Sequence, residues 1–160
     1  MKGLIIIETV NQLKFTRIYT LGRLAKTSDK AWDTQPTGFS NTIRWNAGHI
    51  FVTMESLVQK AVEGYELINP EWIALFVSGS NPESWEGKVP SIEELLVALE
   101  EQPERIMKAL EGKLTNTLQE PMSIGPLHTM ATVDAVVQFA IWHEGVHAGM
   151  INALNRLADE

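Results

Sequence analysis

TVDAVVQFAIWHEGVHAGMINALNRL, residues 132–157, brings apolar side chains back every three to four positions. That period belongs to a helix, not to the alternation of a half-buried strand. On the helical wheel Val136, Phe139, Val146, Met150, Ala153, Leu154 and Leu157 define an apolar stripe. Asp134, Gln138, Asn152 and Arg156 mark the opposite, solvent side. His143 and His147 fall at the centre of the stripe. Being four residues apart, they project one turn apart from one face. The expectation is a long helix that sends two imidazoles into a core.

Three earlier segments share the helical period. One runs from about Val10 to Lys26, with Val10, Leu13, Leu21, Leu24 and Ala25 on one face. Arg17 interrupts that stripe and reads as a snorkelling stem at the helix edge. A second runs from Asn41 or Thr42 to Val62, with a stop at Gly64. A third opens with S-I-E-E at Ser91, a capping box in which Ser91 caps and Glu94 reaches back. Its stripe is Ile92, Leu95, Leu96, Leu99, Ile106, Met107 and Leu110, and Pro103 predicts a kink or break. Between these lie 64–90 and 112–131, rich in turn residues. Residues 70–77 predict a short extra helix with proline in its first turn. The run Leu4–Ile7 has a strand as its alternative, without an obvious partner. Nothing else alternates with period two for long. The fold expected is all-α, a four-helix bundle with long connections, as one domain over 1–160.

Composition narrows the function classes. The chain has 160 residues and a net charge of -7, which argues against a general nucleic-acid binder. Residues 1–60 carry eight basic and four acidic side chains, and 61–160 carry five and sixteen. The acidic surplus sits mainly in 93–104 and reads as a solvated helix face. There is no cysteine. That excludes disulfides, iron–sulfur clusters, thiolate zinc sites and a cysteine nucleophile together. No stretch approaches the ~20 apolar residues of a membrane span, and the first residues lack a signal peptide's pattern. A soluble, cytoplasmic protein is expected.

The histidines carry the chemistry. In the second helix Arg44 and Glu55 are read as the exposed side, which turns Asn46, His49 and Thr53 inward. Buried polar groups without partners cost about 1–3 kcal/mol each. Three inward imidazoles from two helices satisfy one another poorly, and a divalent metal resolves the problem. His49, His143 and His147 are therefore the expected metal ligands. His128, in G-P-L-H-T, reads as a loop histidine, with a supporting role to the metal as the alternative. H-E-G-V-H also matches the zinc-protease pattern H-E-x-x-H formally, with Glu144 as general base. Those proteases take their third ligand downstream, and only thirteen residues follow His147, none a histidine. The zinc-protease reading is set aside.

R-W-N-A-G-H-I around His49 and W-H-E-G-V-H-A-G-M-I-N-A-L near the C-terminus resemble the DinB-like superfamily, the DNA-damage-inducible metalloproteins. The resemblance covers nearly the whole chain in length, helix number and histidine order. It implies a four-helix bundle whose zinc or nickel ion is held by His49, His143 and His147. It also implies a homodimer; the first helix is the candidate interface because Arg17 interrupts its apolar stripe. Characterised relatives include transferases of bacillithiol, mycothiol or glutathione and a maleylpyruvate isomerase.

Three imidazoles leave a coordination position open, the pattern of a catalytic rather than a structural zinc site. The reading is a metal-dependent enzyme that transfers a low-molecular-weight thiol to a small electrophile. Glu144 or Asn46 would orient the nucleophile, although Glu144 lies off the histidine face. The alternatives are a metal-dependent hydrolase and a non-enzymatic, stress-associated metal-binding dimer. Neither nucleic acid nor membrane is expected as a partner.

Overall fold

The computed structural model describes residues 2–158. Its elements are α1 (Lys2–Leu24), α2 (Ile43–Ala61), α3 (Ile73–Phe76), α4 (Ile92–Leu110), β1 (Thr117–Ile124), β2 (His128–Thr132) and α5 (Val133–Ala158). The Leu4–Ile7 run continues the backbone of α1 and forms no strand. The chain is mostly helical, and the hairpin of β1 and β2 corrects the all-α expectation.

Local signals set the helix ends. The Thr42 hydroxyl accepts the Trp45 N–H at 3.2 Å and opens α2. Gly64, at φ +76°, turns the chain away after it. At α4, Ser91 Oγ accepts the Glu94 N–H at 3.0 Å, and the Glu94 carboxylate accepts the Ser91 N–H at 2.7 Å. That is the reciprocal pairing of a capping box.

Pro103 does not break α4, which runs through it without interruption. A mid-helix proline leaves the carbonyl four residues earlier without its donor. Here that carbonyl is Leu99, and Arg17 Nη1 on α1 donates to it at 2.6 Å. A neighbouring helix supplies the hydrogen bond that the proline cannot.

The long helices pack as α1 with α5 and α4, and α2 with α5 and α4. The two core clusters fix their directions. One gathers Leu24, Ile43, Leu95 and Leu154. The other gathers Leu13, Val58, Leu110 and Val133. So α1 and α5 run parallel, and α2 and α4 run the opposite way. The connection from α2 to α4 must therefore travel the length of the molecule. It carries a 3₁₀ turn, Pro70–Trp72, and α3, as the sequence led us to expect. Trp72, Leu75 and Phe76 anchor this crossover in the core.

The hairpin connects α4 to α5, which are antiparallel. Ile124 pairs with His128 and Met122 with Met130, and the register slips before Thr117 pairs with Thr132. Only Met130 is fully buried, so no clean period of two reaches the sequence. Among the described residues no helix is long and apolar enough to cross a membrane.

Candidate metal centre

The site forms where α2 and α5 pack side by side. His49 comes from α2 and His143 and His147 from α5, and one ring nitrogen of each lies within 4.8 Å of the others. His49 Nε2 and His143 Nε2 are 3.1 Å apart. Two imidazole nitrogens bound at ~2.0–2.1 Å to one tetrahedral zinc would stand about 3.4 Å apart. The spacing fits a shared cation.

The other ring nitrogens decide the tautomers. His49 Nδ1 lies 2.6 Å from the Phe76 carbonyl oxygen, which can only accept. The Nδ1–H must donate, leaving Nε2 with its lone pair turned to the site. His147 Nδ1 lies 2.8 Å from Asn46 Oδ1. The Asn46 amide NH₂ donates to the Thr42 carbonyl at 2.8 Å and to Asn41 Oδ1 at 3.0 Å. That fixes Oδ1 as the acceptor toward His147 and again frees Nε2. Such outer hydrogen bonds orient metal-binding histidines and raise their basicity. Trp45, stacked on His49 at 4.5 Å between ring centres, closes the inner side. Asn46 thus orients His147.

Two sequence features explain why His49 sits where it does. Gly48 has Phe76 against its backbone, and a Cβ there would fall 2.4 Å from the ring. The glycine lets α3 come close enough for the Phe76 carbonyl to reach His49. Ser80 Oγ then accepts the Trp45 indole N–H at 3.0 Å, tying the same crossover to the residue stacked on His49.

All three imidazoles are held neutral. Burial lowers the pKa of His147 to about 3, helped by the charges of His143 and His49. His143 is lowered to about 4, by burial first and His49 next, with Glu144 opposing. His49 is lowered by burial, against the bond from Phe76. At neutral pH each imidazole is uncharged and keeps a lone pair, as a metal requires.

The helix faces differ from the sequence reading. Val146, Met150 and Leu157, placed in the buried stripe, are exposed. The buried face of α5 is Val133, Val136, Val137, Ala140, Glu144, Ala148, Ile151 and Leu154. Ala140, Ala148 and the charged Glu144 are as deeply buried as the branched side chains among them. His143 and His147 therefore lie half-buried at the edge of the core, open to one side.

Glu55 is also corrected. It is 1% exposed and its carboxylate accepts from Gln102 Nε2 at 2.7 Å, Arg105 Nη2 at 2.7 Å and the Ile68 N–H at 3.0 Å. The Tyr65 hydroxyl joins them, and burial beside Glu55 pushes its pKa up. Arg17 does not snorkel. It is 3% exposed, with Nε 2.8 Å and Nη2 2.9 Å from the two oxygens of Glu144. Thr20 Oγ1 donates to the same carboxylate at 2.9 Å. Glu144 is thus turned toward α1, with both oxygens engaged, and is not brought to the histidine cluster. His128 stands exposed at the start of β2, outside the cluster, its ring 6.4 Å from that of Phe139.

The sequence profile of the DinB superfamily matches residues 12–151. The chain belongs to the DinB superfamily. The match contains all three histidines, Asn46, Gly48 and the crossover that carries Phe76. Among curated proteins none matches the chain in sequence. Within the DinB frame, Trp45 lies inside the R-W-N-A-G-H-I motif without a role read from it, and the Phe76 carbonyl lies outside both motifs. Trp45 sits four residues before His49, a helical spacing that offered a signal. The Phe76 carbonyl had none, because it depends on the path of the crossover.

Proposed function

We propose that the protein is a divalent-metal-dependent enzyme, with zinc or nickel held by His49, His143 and His147. The observation that supports this most is the 3.1 Å approach of His49 Nε2 to His143 Nε2, with the Nδ1 atoms of His49 and His147 tied back. Two lone pairs at that distance repel unless a proton or a cation lies between them. A divalent ion there supplies Lewis acidity, which brings a thiol or water toward its anion at neutral pH.

The reaction proposed is transfer of a low-molecular-weight thiol to an electrophilic small molecule. The chain has no cysteine, so sulfur must arrive with a co-substrate. Trp45 covers one face of the His49 ring, and the half-buried edge of α5 leaves one side for the substrates. A reducing cytosol, which keeps such thiols available, is the compartment that suits the reaction. Glu144 serves by holding α5 to α1 rather than by touching substrate. The working form proposed is a homodimer, without nucleic acid or membrane.

The test is metal analysis followed by a turnover screen. Purified protein should carry close to one ion per chain, and His143→Ala or His147→Ala should abolish it. His49→Ala should weaken binding by orders of magnitude while circular dichroism keeps its helical signal, since apolar packing holds most of the fold. Mercaptoethanol or bacillithiol with 1-chloro-2,4-dinitrobenzene should turn over only in the metal-loaded wild type. Normal metal content in both α5 variants would end the metal reading. Ester hydrolysis without any thiol would move the reaction to the hydrolase class. Metal binding with neither turnover would leave a non-catalytic metalloprotein.

A further inference from the structure

A cavity of about 420 Å³ lies between the hairpin tip and the outer face of α5, lined by Ile124, Leu127, His128, Gln138, Phe139 and Trp142 among others. We propose that it seats an uncharged aromatic or similarly apolar group of the organic substrate whose reacting atom meets the three-histidine cluster. The proposal rests on the metal reading above and names the substrate class for that site.

Position comes first. The rings of His128 and Phe139 are 6.4 Å apart, Phe139 and Trp142 5.4 Å, and Phe139 and His143 6.4 Å. The aromatic wall therefore ends on a metal ligand. Phe139 precedes His143 by four residues, about one 5.4 Å turn of α5, and its ring stands between the cavity it lines and that imidazole. A substrate with a reactive head and a flat tail spans this distance.

The lining sets the chemistry of the tail. Its carbon surface comes mainly from aromatic and branched side chains, and its polar side-chain groups are one imidazole, one amide and the indole N–H of Trp142, none of them charged like a carboxylate or ammonium. Among the described residues that line it, none carries a carboxylate, ammonium or guanidinium group. A charged tail would lose hydration there without a counter-charge. The volume falls within the ~300–1,000 Å³ of small-molecule pockets, and the few polar groups suit fixing one substrate atom.

The hairpin makes sense as a wall. Met130 anchors it in the core, whereas Leu127 at the tip is 86% exposed and Trp142 opposite is 61% exposed. These two side chains face a concavity, and a bound apolar group would cover both.

Fluorescence titration with N-phenyl-1-naphthylamine, a neutral apolar probe, tests the cavity in metal-free and zinc-loaded protein. One probe per chain should bind, and Leu127→Ser with Trp142→Ser should weaken it about tenfold, at ~25 cal/mol per Å² of lost apolar contact. Both side chains are exposed, so the double variant should keep its fold and its zinc. Ile18→Ser, which removes an exposed apolar side chain from α1, should leave probe binding unchanged. Unchanged affinity in the double variant, or equal loss in Ile18→Ser, overturns the proposal.

A second arm tests the link to the metal. Zinc-loaded protein should bind benzohydroxamate about tenfold tighter than acetohydroxamate, and the double variant should erase the difference. Equal hydroxamate affinities in the wild type overturn the substrate seat. If zinc itself does not bind, the metal reading has failed separately, and the substrate seat falls with it even where the probe binds. If the double variant converts a dimer to monomer in sedimentation, the face belongs to a second copy and the proposal is overturned.

Discussion

At the scale of single residues, the most consequential side chain away from the histidines is Arg17. Its guanidinium meets Glu144, the Gln102 side-chain oxygen at 2.8 Å and the Leu99 carbonyl. Gln102 in turn donates to Glu55, so one buried polar chain crosses from α5 through α1 and α4 to α2. Breaking a buried pair from one side strands the other charge at a cost of ~3–5 kcal/mol, whereas removing both often costs little. Arg17→Met should therefore lower the urea-unfolding free energy by about 3 kcal/mol or more. Arg17→Met with Glu144→Leu should recover a large part of that loss. A single-variant cost below about 1 kcal/mol, the range of exposed pairs, would mean that Arg17 acts as a surface residue. The sequence could not show this pair. Arg17 and Glu144 were each legible as charges on helices, but a wheel gives the face of a residue and not which neighbour lies opposite.

At the scale of elements, the meeting of α2, α3 and α5 makes the site, and Gly48 is its hinge of contact. Gly→Ala inside a helix ordinarily gains about 1 kcal/mol. Here the added methyl would sit 2.4 Å from the Phe76 ring, so ring and crossover must shift. Gly48→Ala should instead lower Tm and weaken zinc binding, because the Phe76 carbonyl would no longer hold the His49 Nδ1–H. A variant that binds zinc as wild type at equal or higher Tm would remove the crossover from the site's support. The four long helices were legible because each carries a 3.6 period, with readable starts at Thr42 and Ser91; α1 begins at Lys2 rather than near Val10, because the Leu4–Ile7 run continues it without a cap or breaker between. His143 and His147 were legible from their spacing; His49 is buried as expected, although the wheel that turned it inward took Glu55 as exposed, and α2 is in fact covered on nearly all sides, Glu55 included. The buried face of α5 was misjudged because it includes Ala140, Ala148 and the charged Glu144, while the large apolar Val146, Met150 and Leu157 face outward. The hairpin was missed because β1 lies mostly in solvent and holds Pro121, leaving almost no alternation to read. Pro103 misled because its missing donor is replaced from α1, a compensation with no local trace.

At the scale of the whole molecule, two properties remain to be measured. On α1, Phe15, Ile18 and Tyr19 form an exposed apolar patch on the side away from the core. If α1 is the dimer face, Ile18→Glu should give monomers in sedimentation at micromolar concentration, where wild type gives dimers. Equal sedimentation of the two proteins would place any interface elsewhere. The second property is the pH dependence of stability in the metal-free protein. An unfolded histidine titrates near ~6.5. In the folded protein the His143 pKa is lowered to about 4 and that of His147 to about 3, and His49 is also lowered. Below the unfolded value the open chain takes up protons that the folded cluster refuses, so protons favour unfolding. Stability from this cluster is thus fully present above ~6.5 and is lost progressively as pH falls toward the folded values. Metal-free wild type should lose Tm between pH 6.5 and 5, before most carboxylates titrate. His147→Leu should flatten that slope, because the group with the lowest folded value is gone and its two neighbours lose a like charge. Zinc should flatten it as well, since the ion competes with protons for the same lone pairs and binds only the folded site. A metal-free Tm that holds level from pH 6.5 to 5 would show that the three imidazoles are open to water rather than gathered at the edge of the core.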